Sequence, residues 1–166
     1  KSVRFKTVYL ESDNGSSPPP TAIHFEDPNL ERAIREKIGK PTEELTSADF
    51  RGIWELSISD QEIKSLKGIE HLVGLVILDL SNNVILDVSP LAGLTNLSFL
   101  GLLKNQISDI SPLAGLTNLG DLYLGENQIS DISPLAGLTN LRTLDLKNNQ
   151  ISDISPLEEL ISLSEL

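Results

Sequence analysis

The sequence predicts an α/β solenoid, in which successive coils of the chain stack and each coil contributes one short strand and one tight turn. Two observations support this fold class. The run QISDISPLAGLTNL occupies residues 106–119 and recurs letter for letter at residues 128–141. Isoleucine also recurs at intervals of 22 residues, at Ile63, Ile85, Ile107, Ile129 and Ile151. A fixed internal period of this length indicates stacked structural repeats.

Composition narrows the classes of function. The 166 residues carry a net charge of −11, which argues against nucleic acid because phosphate binding needs clustered cations. No apolar run approaches the roughly 18 residues of a membrane span, so we expect no membrane insertion. Cysteine is absent, and no Ser/His/Asp set, phosphate-binding glycine loop or metal-ligand spacing occurs. We therefore expect no enzyme, no cofactor and no metal site.

The segment before the repeats, residues 1–21, has two parts. Apolar and polar residues alternate in residues 1–14, which predicts a strand. Three consecutive prolines in residues 15–21 predict a stiff, extended linker. Residues 1–14 are either the tail of a neighbouring module or a cloning remnant, or they belong to this domain. Because the chain does not begin with methionine, we expect a processed product or a fragment.

Residues 22–52 predict a helical cap. Asp27 and Pro28 suit the N-cap and first position of a helix, and Gly39 suits its end. A second short helix is expected to follow, with Thr46 as N-cap and Asp49 in the capping-box position. The apolar face of the first helix comprises Leu30, Ala33, Ile34 and Ile38. A solenoid must cover the raw apolar end of its first coil, which gives this cap a physical purpose. We expect Trp54 to cover the junction of cap and solenoid.

The repeats occupy residues 53–166, with the last one incomplete. The pattern LxxLxLxxNxI begins at Leu75, Leu97, Leu119 and Leu141. This pattern resembles the leucine-rich-repeat family in its 22-residue form. The segment ISDISPLAGLTNL resembles most closely the internalin-like repeats of bacterial surface proteins, and residues 22–52 resemble the N-terminal cap of such proteins. The resemblance implies a right-handed superhelix with a parallel sheet on its concave face and 3-10 turns on its convex face.

Polar residues repeat with the same period and are expected to organise the turns. The asparagines should satisfy main-chain groups where the chain leaves each strand; they are Asn83, Asn105, Asn127 and Asn149. Ser-Pro pairs, such as Ser111-Pro112, should begin the convex turns with serine as the cap. An aspartate column could suggest calcium, but we expect each aspartate to cap its own turn; it comprises Asp87, Asp109, Asp131 and Asp153.

The C-terminal end stops within a sixth repeat and shows no cap. We expect it to expose Leu157, Leu160, Ile161 and Leu163. An uncapped apolar end is a pairing hazard. Either the native protein continues beyond residue 166, which we favour, or this end self-associates with another copy.

The concave face is defined here as the positions between the inward leucines of the strands. In contrast to the uniform framework, these positions vary from repeat to repeat. Phe99, Leu103 and Tyr123 should form an apolar cluster, with Gly101 and Gly125 leaving a dent beside it. The candidate partner-binding residues are Ile77, Asp79, Phe99, Gly101, Leu103, Lys104, Asp121, Tyr123, Glu126 and Asp145. The alternative is that these side chains only pack against one another.

Two functions remain open from the sequence. The first is a non-enzymatic module that binds a protein, or a glycan, on its concave face; the resemblance implies an extracellular or cell-surface bacterial protein. The second is a structural spacer or self-assembling repeat segment without a specific ligand. An intracellular scaffold of the same repeat class, located in the cytoplasm, is also compatible with the sequence.

Overall fold

The structure is a computed structural model that describes residues 22–165. The strand and linker predicted for residues 1–21 lie outside the described residues. Within these residues, one α-helix, α1 (Pro28–Ile38), precedes five strands: β1 (Glu55–Ser57), β2 (Ile77–Asp79), β3 (Phe99–Gly101), β4 (Asp121–Tyr123) and β5 (Thr143–Asp145). Short 3-10 turns lie at Ser47–Phe50, Ile69–His71, Ser89–Leu91, Ser111–Gly115, Ser133–Leu135 and Ser155–Leu157.

The strands form one parallel sheet in the order β1-β2-β3-β4-β5. Each residue pairs with the residue 22 positions later, so that Phe99 lies between Ile77 and Asp121. A further parallel bridge joins Thr143 to Glu165 and begins a sixth coil. The strands stay in register because every coil between β1 and β5 contains the same number of residues, 22, with no insertion or deletion. The predicted parallel solenoid is therefore confirmed.

Stacking of the coils buries the apolar framework. The strand leucines Leu78, Leu100 and Leu122 are fully buried, as are Leu91 and Leu113 on the convex turns. Full burial of such a side chain stabilises the fold by about 1.5–3 kcal/mol. A single coil could not bury these residues alone, since each leucine is covered by the coils before and after its own.

The C-terminal coil is only partly covered. Ile161 is 91 % exposed, as expected, whereas Leu157 and Leu163 are half-buried and thus only partly exposed. The expectation that Leu160 would be exposed is wrong: it is 4 % exposed. Leu160 occupies the buried leucine position of its turn, so the preceding coil alone suffices to cover it.

The predicted asparagine ladder is confirmed. Asn127 Oδ1 accepts a hydrogen bond from Ile107 N at 3.0 Å, while Asn127 Nδ2 donates to Leu102 O at 2.9 Å and Leu124 O at 3.0 Å. Two of these three partners belong to the preceding coil. Asn105 makes the same bonds one coil earlier. Each buried asparagine therefore joins its own turn to the coil before it.

The convex turns differ from the prediction in their capping. Serine was expected as the N-cap, but Ser111 and Ser133 are the first helical residues, and the N-cap positions are held by Ile110 and Ile132. The stabilising bond comes instead from the preceding aspartate: Asp109 Oδ1 accepts from Ser111 N at 2.8 Å. Ile110 and Ile132 at the cap position are buried in the core, so the aspartate one residue earlier makes the capping bond.

The cap forms largely as predicted. Leu30 and Ile34 of α1 are buried, and Ala33 and Ile38 pack against the same core. Asp27 Oδ1 accepts from Asn29 N and Leu30 N, and Gly39 ends the helix at φ +69°. The second helix of the cap is the 3-10 turn that follows Thr46, whose N–H bonds Asp49 as in a capping box.

Asp27 has a second role that the sequence did not reveal. Its other oxygen, Oδ2, accepts from Lys64 N at 2.7 Å and Ser65 N at 3.3 Å, in the first repeat. Burial disfavours the charged carboxylate, but the hydrogen bonds from Lys64, Asn29, Leu30 and Ser65 outweigh it and hold the pKa of Asp27 below its usual value. One carboxylate thus both starts α1 and fixes the cap to the solenoid.

A close approach supports the same junction. Gly68 adopts φ +104°, and a β-carbon there would lie 2.5 Å from the Phe25 ring. Phe25 in turn meets Phe50 edge to face at 6.0 Å. Trp54 lines a surface groove of this region with Ile38 but remains 55 % exposed, so it covers the junction only in part.

We predict that Asp27→Ala lowers the free energy of unfolding by about 2–4 kcal/mol at neutral pH, because it removes a helix cap and leaves buried N–H groups without acceptors. The folded-state pKa is depressed, so this stabilisation is present above the usual carboxyl pKa and is lost as pH falls through the folded value. Urea unfolding of both proteins at about pH 7 and about pH 3 measures it. A difference that does not shrink in acid contradicts the assignment.

We predict that Asn127→Ala costs about 3 kcal/mol, because the buried Ile107 N–H and two carbonyls lose their partner. Asn118→Ala is the matched control. Asn118 Nδ2 makes a single exposed bond to Thr95 O, and its loss should cost less than about 1 kcal/mol. Equal losses in urea unfolding would show that the ladder does not hold the coils together.

Candidate functional site

The concave face presents the predicted columns of side chains. Strand pairing places Glu55, Ile77, Phe99, Asp121 and Thr143 in one row. The next row comprises Ser57, Asp79, Gly101, Tyr123 and Asp145. Each row crosses the sheet at about 4.8 Å per strand. The candidate residues on strands therefore lie on neighbouring strands of one surface, and Leu103, Lys104 and Glu126 follow in the adjoining turns.

An aromatic pair lies at the centre of this face. The ring centroids of Phe99 and Tyr123 are 5.4 Å apart, and the ring planes are inclined at 41°. Both side chains are half-buried, as are Ile77 and Leu103. The pair is therefore neither sealed in the core nor fully surrounded by water, and it leaves apolar surface that a ligand could cover.

The expectation that Gly101 and Gly125 leave a dent in the concave face is wrong. A β-carbon at Gly101 would lie 2.5 Å from Asp79 Oδ1, and one at Gly125 would lie 2.9 Å from Leu103 Cδ2 and 3.1 Å from Asp145 Oδ1. Side chains from the neighbouring strands thus lean over both glycines. The glycines shape the surface by allowing Asp79, Leu103 and Asp145 to lie flat against the sheet.

Charged groups surround the apolar centre. Asp79 Oδ1 accepts from Ser81 N and Asp145 Oδ1 accepts from Lys147 N, each at 3.0 Å. Lys104 Nζ lies 3.8 Å from Glu126 Oε1 in an exposed ion pair, a kind that contributes little to stability. Asp121 is half-buried, and its carboxylate accepts no hydrogen bond within residues 22–165.

The turns beside the aromatic pair adopt a left-handed conformation. Lys104 has φ +53° and Glu126 has φ +56°. The equivalent positions of neighbouring coils hold Asn82 and Asn148, a residue type that tolerates this region better. Less suitable residues therefore stand at the two turns that border Phe99 and Tyr123, and strained backbone of this kind concentrates at functional sites.

The aspartate column of the convex turns makes local bonds, as predicted. The side chains of Asp87, Asp109, Asp131 and Asp153 each accept from the serine N–H two residues on. That backbone bond, together with the serine hydroxyl, lowers the pKa of Asp109 from its usual value. Within residues 22–165, no group of three acidic or histidine side chains could hold a metal ion.

Two further features were missed in the sequence. A second ladder of asparagines joins the convex sides of the coils; it comprises Asn96, Asn118 and Asn140, each donating to a carbonyl of the preceding coil. The 22-residue recurrence of LTN could have revealed it.

The other feature is a surface groove of about 540 Å³ that runs along α1. The guanidinium group of Arg35 in this groove already donates hydrogen bonds to the Glu31 carboxylate and to two backbone carbonyls.

The in-register parallel coils and the buried asparagine ladder define a leucine-rich-repeat protein. The family model for Leucine Rich repeats (2 copies) matches residues 95–137 and 121–159. None of the helices within residues 22–165 is long and apolar enough to cross a membrane.

Similar proteins include internalins of Listeria monocytogenes. A solved internalin, inlF, is 41 % identical with a TM-score of 0.83 over 86 % of this chain and 43 % of its own. Internalin C2 is 38 % identical with a TM-score of 0.54, and the alignment covers 86 % of this chain and 83 % of its own. Internalin H is 41 % identical over 68 residues, which are 39 % of this chain and 12 % of Internalin H.

The chain belongs to the bacterial internalin-like leucine-rich-repeat proteins. Proteins of this family are generally non-enzymatic protein-interaction modules. The chain spans less than half the length of inlF and about an eighth of Internalin H.

We predict that Glu126→Asn raises the free energy of unfolding by about 0.5–1 kcal/mol, because asparagine relieves the left-handed strain. The exposed ion pair with Lys104 offsets little of this gain. The matched control is Glu158→Asn, where φ is −60° and no strain exists. Urea unfolding that shows no gain at position 126, or the same gain at both positions, contradicts the strain argument.

Proposed function

We propose that the chain is the protein-binding part of an exported bacterial protein and that its concave face contacts the partner. The single observation that carries this proposal is the half-exposed Phe99–Tyr123 pair at the centre of that face. Aromatic side chains dominate the binding energy of protein interfaces when they lie centrally and are ringed by polar residues. The acidic residues around the pair provide such a rim.

The division of roles among the residues supports the proposal. Leucines and asparagines repeat without change and account for the stability of the stack, so the concave positions are free to differ. Strained turns at Lys104 and Glu126 border the same pair. The face of five strands spans about 20 Å across the sheet, and an interface of about 800 Å² per partner would occupy most of it.

A glycan ligand is the second candidate, since an aromatic ring beside carboxylates and hydroxyls can also stack on a sugar. A glycan is less well supported, because one oxygen of each of the carboxylates Asp79 and Asp145 is already bonded to the backbone. A protein partner therefore fits the apolar centre better. The spacer hypothesis requires no partner at this face, so it predicts that substitution of the aromatic pair has no effect on partner capture.

We predict that the double variant Phe99→Ala/Tyr123→Ala loses partner capture while its fold remains intact. Wild-type and variant proteins would be immobilised and exposed to a pool of extracellular proteins, and bound proteins quantified by mass spectrometry. At least one protein should fall by about tenfold or more on the variant, as expected for central aromatic residues. Circular dichroism and thermal unfolding would show that the variant still folds.

A matched control carries changes on the convex side. Thr95→Ala/Thr117→Ala alters exposed residues of the turns and should leave capture unchanged. If no bound protein distinguishes the concave variant from this control, the binding proposal is wrong and the spacer function is supported. Export is tested separately by fractionating the source bacterium, and detection of the chain in the cytosol alone would contradict it.

A further inference from the structure

The charge on the concave face is unbalanced. The paired positions of β1 to β5 hold four carboxylates, from Glu55, Asp79, Asp121 and Asp145, and no ammonium group. The adjoining turns add the carboxylate of Glu126 and the ammonium groups of Lys104 and Lys147, so carboxylates remain in excess. The chain as a whole is acidic, at −11. A surface with one sign of charge attracts partners of the opposite charge and repels those of the same charge. The acidic surface around the apolar centre therefore favours the approach of basic partners.

Carboxylates also lie directly beside the aromatic pair. Asp121 pairs with Phe99 across the β3–β4 ladder, and Asp145 pairs with Tyr123 across the β4–β5 ladder. Asp121 and Tyr123 are two residues apart on one strand and therefore project from the same face. Both rings thus have a carboxylate on the neighbouring position of the sheet. This arrangement suits a cation that contacts a ring face and a carboxylate together.

Asp121 has hydrogen-bonding capacity to spare. The carboxylates of Asp79 and Asp145 each accept a backbone N–H, whereas Asp121 accepts no hydrogen bond within residues 22–165. A wholly apolar group placed over the two rings would remove water from this half-buried carboxylate without replacing its hydrogen bonds, which is unfavourable. A donor that is itself cationic would satisfy Asp121 instead.

We propose that the concave face receives an arginine side chain of a basic protein partner, with the guanidinium group against Phe99 and Tyr123 and hydrogen-bonded to Asp121. This inference rests on the proposed function and names the chemistry of its partner. The planar guanidinium can stack on a ring and donate to a carboxylate at once, which favours arginine over lysine. The aliphatic stem of the arginine can cover Leu103 or Ile77.

The probe is a pair of peptides, acetyl-Gly-Arg-Gly-amide and the norleucine analogue, titrated into the isotope-labelled protein and followed by NMR. The arginine peptide should shift the amide resonances of residues 99, 121 and 123, and the norleucine peptide should bind at least about fivefold more weakly. Raising the salt from about 0.05 M to about 0.5 M should weaken only the arginine peptide. Equal binding of both peptides, or no shift at these residues, overturns the proposal.

Substitution locates the cation. Asp121→Asn, which keeps shape but removes charge, should weaken the arginine peptide by at least about fivefold and leave the norleucine peptide unchanged. Glu159→Gln makes the same charge change at an exposed site of the last coil and should have no effect. An equal effect of both variants would show a general charge effect and overturn the site at Asp121.

The outcomes separate this inference from the proposed function. If protein capture depends on Phe99 and Tyr123 but the arginine peptide is not preferred, an apolar side chain occupies the face and only the cation site is overturned. If light scattering shows association that Phe99→Ala/Tyr123→Ala abolishes, a second copy of the chain is the occupant, and the cation proposal again fails. If capture is independent of the aromatic pair, both proposals fail.

Discussion

The structure depends on satisfying the main-chain groups that every coil buries when it turns away from the sheet. A turn inside the stack cannot reach water, so its N–H and C=O groups need partners from the protein. Asn105 and Asn127 supply an acceptor and donors to two coils at once. The asparagine therefore fixes the length of each coil as well as its distance from the next.

Fixed coil length explains why the concave face can vary. Leucines meet leucines at every level because the register never shifts, and the packing does not depend on the alternate residues of the strands. Phe99, Asp121 and Tyr123 could thus enter the face without altering the framework. Their effect on the backbone is local. The neighbouring side chains leave no room for a β-carbon at Gly101 or Gly125, and the adjoining turns adopt a strained left-handed conformation.

The first coil poses a different problem, since it has no coil before it. Asp27 solves part of it by bonding Lys64 N and Ser65 N, which belong to the first repeat. Phe25 adds an apolar contact over Gly68. The cap is therefore attached to the repeats through hydrogen bonds from backbone N–H groups to Asp27, as well as through the buried face of α1. The folding of the cap is thus coupled to that of the repeats.

The sequence by itself determined the period, the strand register and the asparagine ladder, because exact recurrence at 22 residues leaves one consistent way to stack the coils. It also placed Phe99 and Tyr123 on one face, since alternation within a strand fixes which side chains share a surface. Only the tertiary structure decided how neighbouring side chains fill space. Asp79 and Leu103 close the expected dent, Asp27 reaches Lys64, and Ser111 yields its capping role to Asp109. These contacts depend on distances between coils and on side-chain directions, which recurrence along the chain does not encode.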